Sequence, residues 1–345
     1  MRVFAFVLLF GVLGGDCFVR AEVGSYLRRD EEWFRSEEGR SVTRNVLGWQ
    51  TAEGSWPKNV DTTKSPKKEG KGTFDNGATV GELRLLARAY SATKEQAALE
   101  GFLKGLDAIL KAQYASGGWP QSYPPGDGYA RHITFNDGTM VRLMKFVREV
   151  AEKGEFGFVD EERRAKAGRA FERGVACIVK AQVRVEGELT AWCAQHDAVT
   201  LEPRSARAYE LVSLSGAESV GVVDLLMSVE RPSREVIAAV EGAVAWLEAV
   251  KIMGMREVKV DGDKKLVRDE KAPALWARFY EIGTNRPIFC GRDGVKKYSM
   301  EEIEAERRNG YAWYGNWGEG LPAKYERWRK RVNDQMPNTK YPGRE

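Results

Sequence analysis

Cysteine and histidine are both scarce in this sequence, whose 345 residues include four cysteines and two histidines. Two histidines argue against a multi-histidine zinc site. So few cysteines cannot staple a large fold, which must therefore rest on its hydrophobic core. The net charge is only +4 and both signs are interspersed, so there is no electrostatic case for a nucleic-acid partner.

The N-terminal region has the features of an export signal. A positive residue precedes an apolar run over residues 3–13, and Ala21 offers a small residue for cleavage. The run is too short to span a bilayer, and an acidic residue before Cys17 disfavours a lipid anchor. We therefore predict that residues 1–21 are a signal peptide. Residues 22–345 would then form a single secreted or periplasmic domain that has no membrane anchor.

The most informative feature is internal repetition. Two copies of one pattern are QTAEGSWPK at 50–58 with TFDNG at 73–77, and QYASGGWPQ at 113–121 with TFNDG at 134–138. Trp56 and Trp119 lie 63 residues apart and Asp75 and Asp137 lie 62 apart, and a helical pattern follows each copy. A third, degraded copy begins at Gln182 and includes Trp192. Repetition of this length predicts an array of equivalent supersecondary units.

Each repeat contains two apolar patterns with helical spacing. They cover residues 80–90, 99–110, 140–147, 171–179, 220–229 and 236–250. We find no comparable period-two alternation, which predicts few and short strands. The fold class is therefore mainly all-α, an α/α toroid of three helical hairpins with long loops and a few short strands at one end. The chain before Gln50 supplies the helix that precedes the first turn.

After signal cleavage three cysteines remain, Cys177, Cys193 and Cys290. An odd count of three permits one disulfide at most. The pairing, if any, cannot be assigned from the sequence. The predicted domain therefore depends little on covalent cross-links.

Candidate metal ligands occupy equivalent positions in two repeats. Asp75 and Asn76 precede the first inner helix, and Asn136 and Asp137 precede the second. In a ring, equivalent positions converge on the same mouth, where carboxylate and amide oxygens suit Ca²⁺. Asp and Asn before an apolar helix are also common N-caps, and the residues alone leave both interpretations open.

Arginines form a second candidate group: Arg204, Arg207, Arg278, Arg286 and Arg292. Their planar forks match carboxylates, so a cleft that contains them would suit an anionic substrate. Surface salt bridging is the simpler role for any one of them.

Two other pairs of polar residues each have a functional and a structural interpretation. Lys58 and Gln121 follow the two Trp-Pro pairs and could either hydrogen-bond a sugar or anchor the turn. His196 and Asp197 resemble half of a metal-hydrolase pair. Only His132 remains to complete such a site, so we interpret His196 as a structural histidine.

Several short motifs occur in one order along the chain. They are GSWPKN at 54–59, GTFDNGAT at 72–79, GGWPQ at 117–121, ITFNDG at 133–138, WCAQHD at 192–197, ARAYE at 206–210, SLSGAES at 213–219 and RPIFCGRD at 286–293. In this series the chain resembles the pectate lyases of polysaccharide lyase family 10, from about Trp33 to Trp328. Ser55 replaces a glycine of the usual Gly-Gly-Trp.

The resemblance implies a monomeric α/α toroid that binds polygalacturonate with Ca²⁺ and cleaves it by β-elimination, giving 4,5-unsaturated oligogalacturonides. By similarity, Asp75, Asn76 and Asp137 hold the calcium. Arg207 is the base, and nearby Arg204 is the competing candidate. We further expect neighbouring cations to lower the pKa of the arginine base.

Four basic residues are the predicted substrate ligands: Arg278, Arg292, Arg286 and Lys58. Three alternatives stay open. The same scaffold could bind uronates without catalysis, or cleave another acidic polysaccharide such as alginate. Triterpene cyclases also use α/α toroids with Gln-to-Trp turns, but no Asp-rich acid motif is present here.

Overall fold

The computed structural model describes residues 21–67, 69–152 and 154–335. The predicted signal peptide lies outside this part of the chain, except for Ala21. Among the described residues, no helix combines the length and the apolar character that a membrane span requires.

Eleven α-helices are labelled in chain order over the described residues. They are α1 Ala21–Tyr26, α2 Glu31–Arg35, α3 Glu37–Gly48, α4 Val80–Thr93, α5 Gln96–Ala112, α6 Thr139–Glu152, α7 Glu161–Ala181, α8 Glu218–Met227, α9 Arg234–Ala249, α10 Ala305–Asn309 and α11 Leu321–Gln335. Short 3-10 turns cover Asp75–Gly77, Gly128–Arg131, Asn136–Gly138, Gly154–Phe156 and Met300–Glu302.

The strands are mostly two residues long. They are β1 Trp56–Pro57, β2 Gly72–Thr73, β3 Ile133–Thr134, β4 Arg184–Val185, β5 Glu188–Leu189, β6 Gln195–His196, β7 Pro203–Arg204, β8 Leu214–Ser215, β9 Met255–Val260, β10 Asp263–Arg268, β11 Trp276–Ala277, β12 Phe279–Tyr280, β13 Phe289–Cys290, β14 Lys296–Lys297 and β15 Tyr314–Gly315. All pair antiparallel, and β3, β6 and β7 form a three-stranded sheet.

The predicted hairpins are confirmed. Helix α4 packs on α5, α6 on α7, and α8 on α9, while α2 and α3 precede the first hairpin. Helices α4, α6 and α8 form an inner row, and α3, α5, α7 and α9 form an outer row. Leu83, Leu143 and Leu225 of the inner row are fully buried. Burial of each such side chain contributes about 1.5–3 kcal/mol, so the two rows close one core in an α/α toroid.

Three glutamines join neighbouring hairpins. Gln50, Gln113 and Gln182 each follow an outer helix, and each donates from Nε2 to two backbone carbonyls at 2.8 or 2.9 Å. One carbonyl belongs to the loop after the glutamine, and the other lies on the next outer helix, α5, α7 or α9 in turn. This shared geometry confirms the degraded third repeat.

A tryptophan in each repeat fixes the same turn. The indole N–H of Trp56, Trp119 and Trp192 donates to the last turns of α3, α5 and α7 at 2.6–2.8 Å. Trp276 does the same to α9, through Leu247 O at 2.8 Å. The tryptophan part of the repeat therefore has a fourth copy, which the sequence patterns did not reveal.

The strands are short, as expected, and the longest among the described residues are β9 and β10. These six-residue strands pair in register from Met255–Arg268 to Val260–Asp263. Asp261 and Gly262 form the turn, with φ of 50° and 82°. Asp-Gly at two positive-φ positions is the preferred chemistry of a type I′ hairpin, so a local signal for it was present.

The three described cysteines, Cys177, Cys193 and Cys290, are buried and unpaired. Burial raises the pKa of the Cys177 thiol to about 12. These thiols behave as small core side chains, and no disulfide joins any two of them.

Candidate functional site

The loops at the start of the inner helices open into a cleft of about 970 Å³. Six basic and four acidic side chains line it, which leaves a net positive charge. We call one group the repeat wall: Lys58, Asp75, Asn76, Gln121, Asn136 and Asp137. We call the second group the arginine wall: Arg207, Tyr209, Glu210, Arg278, Arg307 and Tyr311. The β9–β10 hairpin adds Glu257, Lys259 and Lys264.

The two repeats place polar side chains at equivalent positions, but the amide and the carboxylate are exchanged between them. Asn76 has φ 50° and ψ 26°, and Asp137 has φ 51° and ψ 25°, so these two are structural equivalents. Asp75 and Asn136 are buried immediately before them. Both left-handed residues are of the types that tolerate this conformation, and such backbone strain is concentrated at functional loops.

Asp75 is fully engaged within the repeat wall. Its Oδ2 forms an ion pair with Lys58 and accepts from Gln121 Nε2 at 2.8 Å. Its Oδ1 accepts from the backbone N–H of Asn76 at 2.8 Å. Lys58 and Gln121 therefore do more than anchor their turns, because both reach the carboxylate in the cleft.

The N-cap interpretation does not explain these residues. The N-cap of helix α4 is Thr79, which forms a capping box with Glu82. The Asp137 carboxylate accepts from Asn136 Nδ2 at 2.7 Å and pairs with Arg278 at 3.3 Å. It makes no hydrogen bond to a backbone N–H among the described residues.

The donor set fits a hard cation such as Ca²⁺, which prefers carboxylate and amide oxygens. The Asn76 side chain has no hydrogen-bond partner within the described chain, and the Asp137 side chain is 38% exposed in the cleft. Groups of three or more acidic, histidine or cysteine side chains that could hold a metal are absent from the described residues. A cation here would therefore need further oxygens from water or a ligand.

Arg278 joins the two walls. It is 8% exposed and pairs with Glu218 and, more distantly, with Asp137. Burial lowers the pKa of Arg278, but Glu218, Tyr311, Asp137 and Glu210 together more than offset this and raise the pKa above its ordinary value. Arg278 lies two residues after Trp276, as Lys58 lies two residues after Trp56. In both turns the residue two positions after the tryptophan lines the cleft.

Arg207 lines the cleft on the arginine wall. Its Nε and Nη2 donate to the two oxygens of Glu210 at 2.7 and 2.5 Å. Glu210 also accepts from the Tyr311 hydroxyl at 2.7 Å. Arg204, the competing candidate, instead pairs with Asp197 at 3.1 Å and does not line the cleft.

The expectation of a lowered pKa for the arginine base is wrong for these surroundings. Burial lowers the pKa of Arg207, but its hydrogen bonds and ion pair with Glu210 more than offset this. The pKa of Arg207 is therefore raised, and the guanidinium keeps its proton over the ordinary pH range. The sequence patterns did not single out Glu210 as its partner.

Two predicted substrate ligands do not line the cleft. Arg286 is exposed, with its guanidinium 3.7 Å from the centre of the Tyr298 ring. The Arg292 side chain is 63% exposed and forms two 2.9 Å bonds to Glu306. Both would have to leave these partners to reach a polymer in the cleft.

His196 has the structural role predicted for it. It is fully buried on β6, with Nδ1 2.8 Å from Leu201 O, and its Nε2 accepts from Cys193 N at 3.1 Å. Burial lowers the pKa of His196 to about 4. A neutral ring that uses both nitrogens in backbone bonds has no free nitrogen for a metal.

Sequence reasoning missed Glu210, Glu218, Arg307 and Tyr311, which all lie in or beside the arginine wall. Glu210 and Glu218 lie within quoted motifs, but nothing local shows that they pair with arginines. Tyr311 is the shared centre, because three guanidinium groups lie within 4.8–5.8 Å of its ring centroid.

Comparison with known proteins gives one consistent result. A family profile described as "Pectic acid lyase" matches residues 50–321. A solved family 10 polysaccharide lyase from Cellvibrio cellulosa is 33% identical, with a TM-score of 0.77, and the match covers 90% of this chain and 96% of that one. A point mutant of a family 10 polysaccharide lyase from the same organism, in complex with trigalacturonic acid, is 32% identical, with a TM-score of 0.75, over 92% of this chain and 97% of that one.

A search of curated proteins found no significant match. The family profile describes lyases, and both solved structures are lyases. These matches argue against the triterpene cyclase alternative.

Proposed function

Since this chain belongs to the pectate lyases of polysaccharide lyase family 10, we propose that it cleaves polygalacturonate by calcium-assisted β-elimination with Arg207 as the base. The observation that carries this proposal is the meeting of oxygen ligands and arginines in one positively charged cleft. An uncharged sugar polymer would not need a cleft lined with so many positively charged side chains. A polymer with one carboxylate per ring matches it.

We assign the calcium ligands to Asp75, Asn76 and Asp137. The bound ion would neutralise the uronate carboxylate and so make the adjacent C5 proton more acidic. Asp75 must share its carboxylate with Lys58 and Gln121 in this arrangement. Substrate carboxylate and water oxygens would complete the coordination, in accord with the open donor set.

The proposed reaction breaks the C5–H and C4–oxygen bonds, and it forms the C4–C5 double bond, an N–H bond on Arg207 and an O–H bond on the leaving oxygen. Arg207 in its neutral form removes the C5 proton, and the electron pair of that bond forms the C4–C5 double bond. The C4–oxygen bond breaks, and the leaving oxygen takes a proton from water. Arg207 afterwards gives its proton to the hydroxide left by the water that protonates this oxygen. The products are 4,5-unsaturated oligogalacturonides. Glu210 fixes the direction of the Arg207 fork throughout, through two hydrogen bonds.

The remaining cations bind and stabilise charge. Arg278 and Lys58 face the cleft and would hold the uronate carboxylate as negative charge develops on it. Arg286 and Arg292 would contact the polymer farther out, after release of Tyr298 and Glu306.

The raised pKa of Arg207 has a consequence for pH dependence. Only a small deprotonated fraction can act as base, and this fraction grows with pH. We therefore expect activity to increase towards alkaline pH.

The predicted export signal would send the enzyme to the extracellular space or periplasm, where polygalacturonate is accessible. We propose that residues 22–345 act as one monomeric catalytic domain. Alginate lyase activity is the comparison that tests substrate choice, because alginate is another uronate polymer.

The direct test uses the mature protein with polygalacturonate and excess Ca²⁺. We expect ultraviolet absorbance from the new double bond and oligomers with unsaturated non-reducing ends by mass spectrometry. Saturated galacturonides alone would show hydrolysis and overturn the mechanism. Faster release from alginate than from polygalacturonate would overturn the substrate.

A further inference from the structure

Tyr129 is the most exposed aromatic residue among the described residues that line the cleft. It is 37% exposed, whereas Tyr209, Tyr311 and Tyr314 of the same cleft are buried or half-buried. It lies on the 3-10 turn Gly128–Arg131, between the two halves of the second repeat. A single exposed tyrosine is ordinary on an open surface, but ligand-binding clefts use aromatic side chains as contacts.

The turn that carries Tyr129 is held in place by its neighbours. Ala130 O accepts from Gln121 N at 3.0 Å, and Arg131 O accepts from the Tyr114 hydroxyl at 2.7 Å. Gln121 is also the residue whose side-chain amide reaches the carboxylate of the repeat wall. A tyrosine on a fixed backbone has only two side-chain torsions to order, so a contact to its ring costs little conformational entropy.

The ring of Tyr129 is uncovered. Among the described residues, no aromatic ring packs on it, no cation lies over its face, and its hydroxyl has no hydrogen-bond partner. The other cleft tyrosines differ, since Tyr209 packs on Tyr311 with ring centroids 5.4 Å apart, and Tyr314 packs on Phe289 at the same separation. The flat apolar face of Tyr129 is therefore free for a ligand in the cleft.

We propose that Tyr129 is a stacking platform for one sugar ring of the polymer, and so adds an apolar contact to a cleft lined mainly by charged and polar groups. This inference rests on the proposed function. A pyranose ring carries its hydroxyls at the edge and C–H groups on its faces. An aromatic ring can cover such a face while the sugar edge and the tyrosine hydroxyl stay in water. The contact needs neither the uronate carboxylate nor Ca²⁺.

The test separates stacking from charge. Hexagalacturonic acid is titrated by calorimetry, with Ca²⁺ present, at low and at high salt. The parent protein carries Arg207→Ala, because slow turnover leaves the oligomer intact, and it is compared with the same chain carrying Tyr129→Phe, Tyr129→Leu or Tyr129→Ala. Phenylalanine keeps the flat ring, leucine keeps apolar volume without it, and alanine removes both. Tyr325→Leu is the matched control, since Tyr325 is a half-buried tyrosine of α11 that does not line the cleft.

We expect Tyr129→Ala and Tyr129→Leu each to weaken binding about fivefold, equivalent to about 1 kcal/mol. Tyr129→Phe and Tyr325→Leu should stay within about twofold of the parent. The loss should be the same at both salt concentrations, because salt screens charges and not stacking. In the otherwise wild-type chain, Tyr129→Ala should raise KM for polygalacturonate by a similar factor and leave kcat nearly unchanged.

Thermal melting checks the fold of each variant. A folded alanine variant that binds within about twofold of the parent overturns the role of Tyr129. So does a leucine variant that binds as well as phenylalanine, or a loss that disappears at high salt. Stacking through Tyr129 in a chain whose wild type does not cleave polygalacturonate would overturn the proposed function and leave this inference standing.

Discussion

The repeat wall and the arginine wall of the cleft are built in opposite ways. The repeat wall comes from two copies of one turn, and equivalent positions meet because the hairpins are arranged in a ring. The arginine wall gathers residues 207–210, 278 and 307–311, which are far apart along the chain. Repetition therefore brings carboxylate and amide oxygens from two copies of one turn to the same mouth, whereas the arginine wall depends on how three distant loops pack together.

The walls also differ in how their charges are balanced. In the repeat wall Asp75 meets Lys58, and Asp137 keeps an exposed edge. In the arginine wall Glu210 and Glu218 each hold one arginine, and Tyr311 packs between the guanidinium groups. If one wall binds the metal and the other supplies base and carboxylate contacts, changes in each should have distinct signatures.

The largest expected effect is on the repeat wall. Removal of Ca²⁺ by a chelator, or Asp137→Asn, should abolish turnover, because the uronate carboxylate would then stay unneutralised beside the C5 proton. The circular-dichroism signal of the helices should persist. Calcium titration followed by calorimetry should show binding to wild type and its loss in the variant.

Asp127→Asn is the matched control, since Asp127 is an exposed carboxylate of the same repeat that does not line the cleft. It should keep both calcium binding and activity. Full activity in excess chelator would remove the metal role from the repeat wall.

The next effect is on the arginine wall. Arg207→Lys and Arg207→Ala should each lower kcat by about 10²-fold or more, as for loss of a general base. Binding of oligogalacturonate should stay within about tenfold, since calcium and Arg278 remain. Steady-state kinetics and calorimetry measure the two quantities separately.

Arg204→Ala controls for the loss of a nearby arginine, and it should keep most activity because Arg204 pairs with Asp197 outside the cleft. A large loss in this control, with near-normal Arg207 variants, would move the base by three residues. Near-normal kcat in all three would exclude an arginine base from this wall.

The two walls were not equally predictable. Asp75, Asn76 and Asp137 follow from the repeat, because two aligned TFDNG-like segments specify equivalent positions. The structure shows that Asn76, and not Asp75, is the equivalent of Asp137. The role of these residues as metal ligands stays a prediction. The helical hairpins were predictable for the same reason, since periodic apolar positions are a local signal.

Pairing partners in the arginine wall could not be read from the sequence. Glu210 lies three residues after Arg207 and forms its ion pair, but such spacing on a loop fixes no geometry. Arg307 and Tyr311 both contact the fully buried Trp313, whose indole N–H donates to Arg307 O at 3.1 Å and whose ring packs on that of Tyr311. The β9–β10 hairpin is a different case, because the Asp261-Gly262 pair is a local sequence signal for its turn.

A smaller effect should appear as acid sensitivity beneath the repeat wall, where His196 pairs across the sheet with Ile133. The pKa of His196 is about 4 in the folded protein, against an ordinary value near 6.5. The unfolded chain therefore binds more protons between these values, so stability is complete above pH 6.5 and falls as pH decreases towards 4. The linked loss is about 3 kcal/mol.

Urea unfolding at pH 7 and pH 4 measures this loss. His196→Gln should be less stable at pH 7 but should lose less stability on acidification. His132→Gln is the control, because the half-buried His132 ring should account for a smaller part of the pH dependence. An unchanged pH dependence in His196→Gln would contradict the assignment.

The smallest expected effect concerns the orientation of the Arg207 guanidinium. Glu210→Gln keeps the size of the side chain but leaves one acceptor oxygen for Arg207, so the two-bond grip is lost. The substitution also removes the carboxylate that raises the pKa of Arg207. The neutral form of Arg207 is then more populated, which offsets part of the loss of activity. We expect kcat to decrease about tenfold with KM within about threefold, because a positioning residue acts on the transition state more than on binding.

Glu257→Gln is the matched control, since Glu257 lines the same cleft but pairs with Lys264 at 3.1 Å. If both variants changed kcat equally, the loss would reflect cleft charge in general, and Glu210 would have no special part in aiming Arg207.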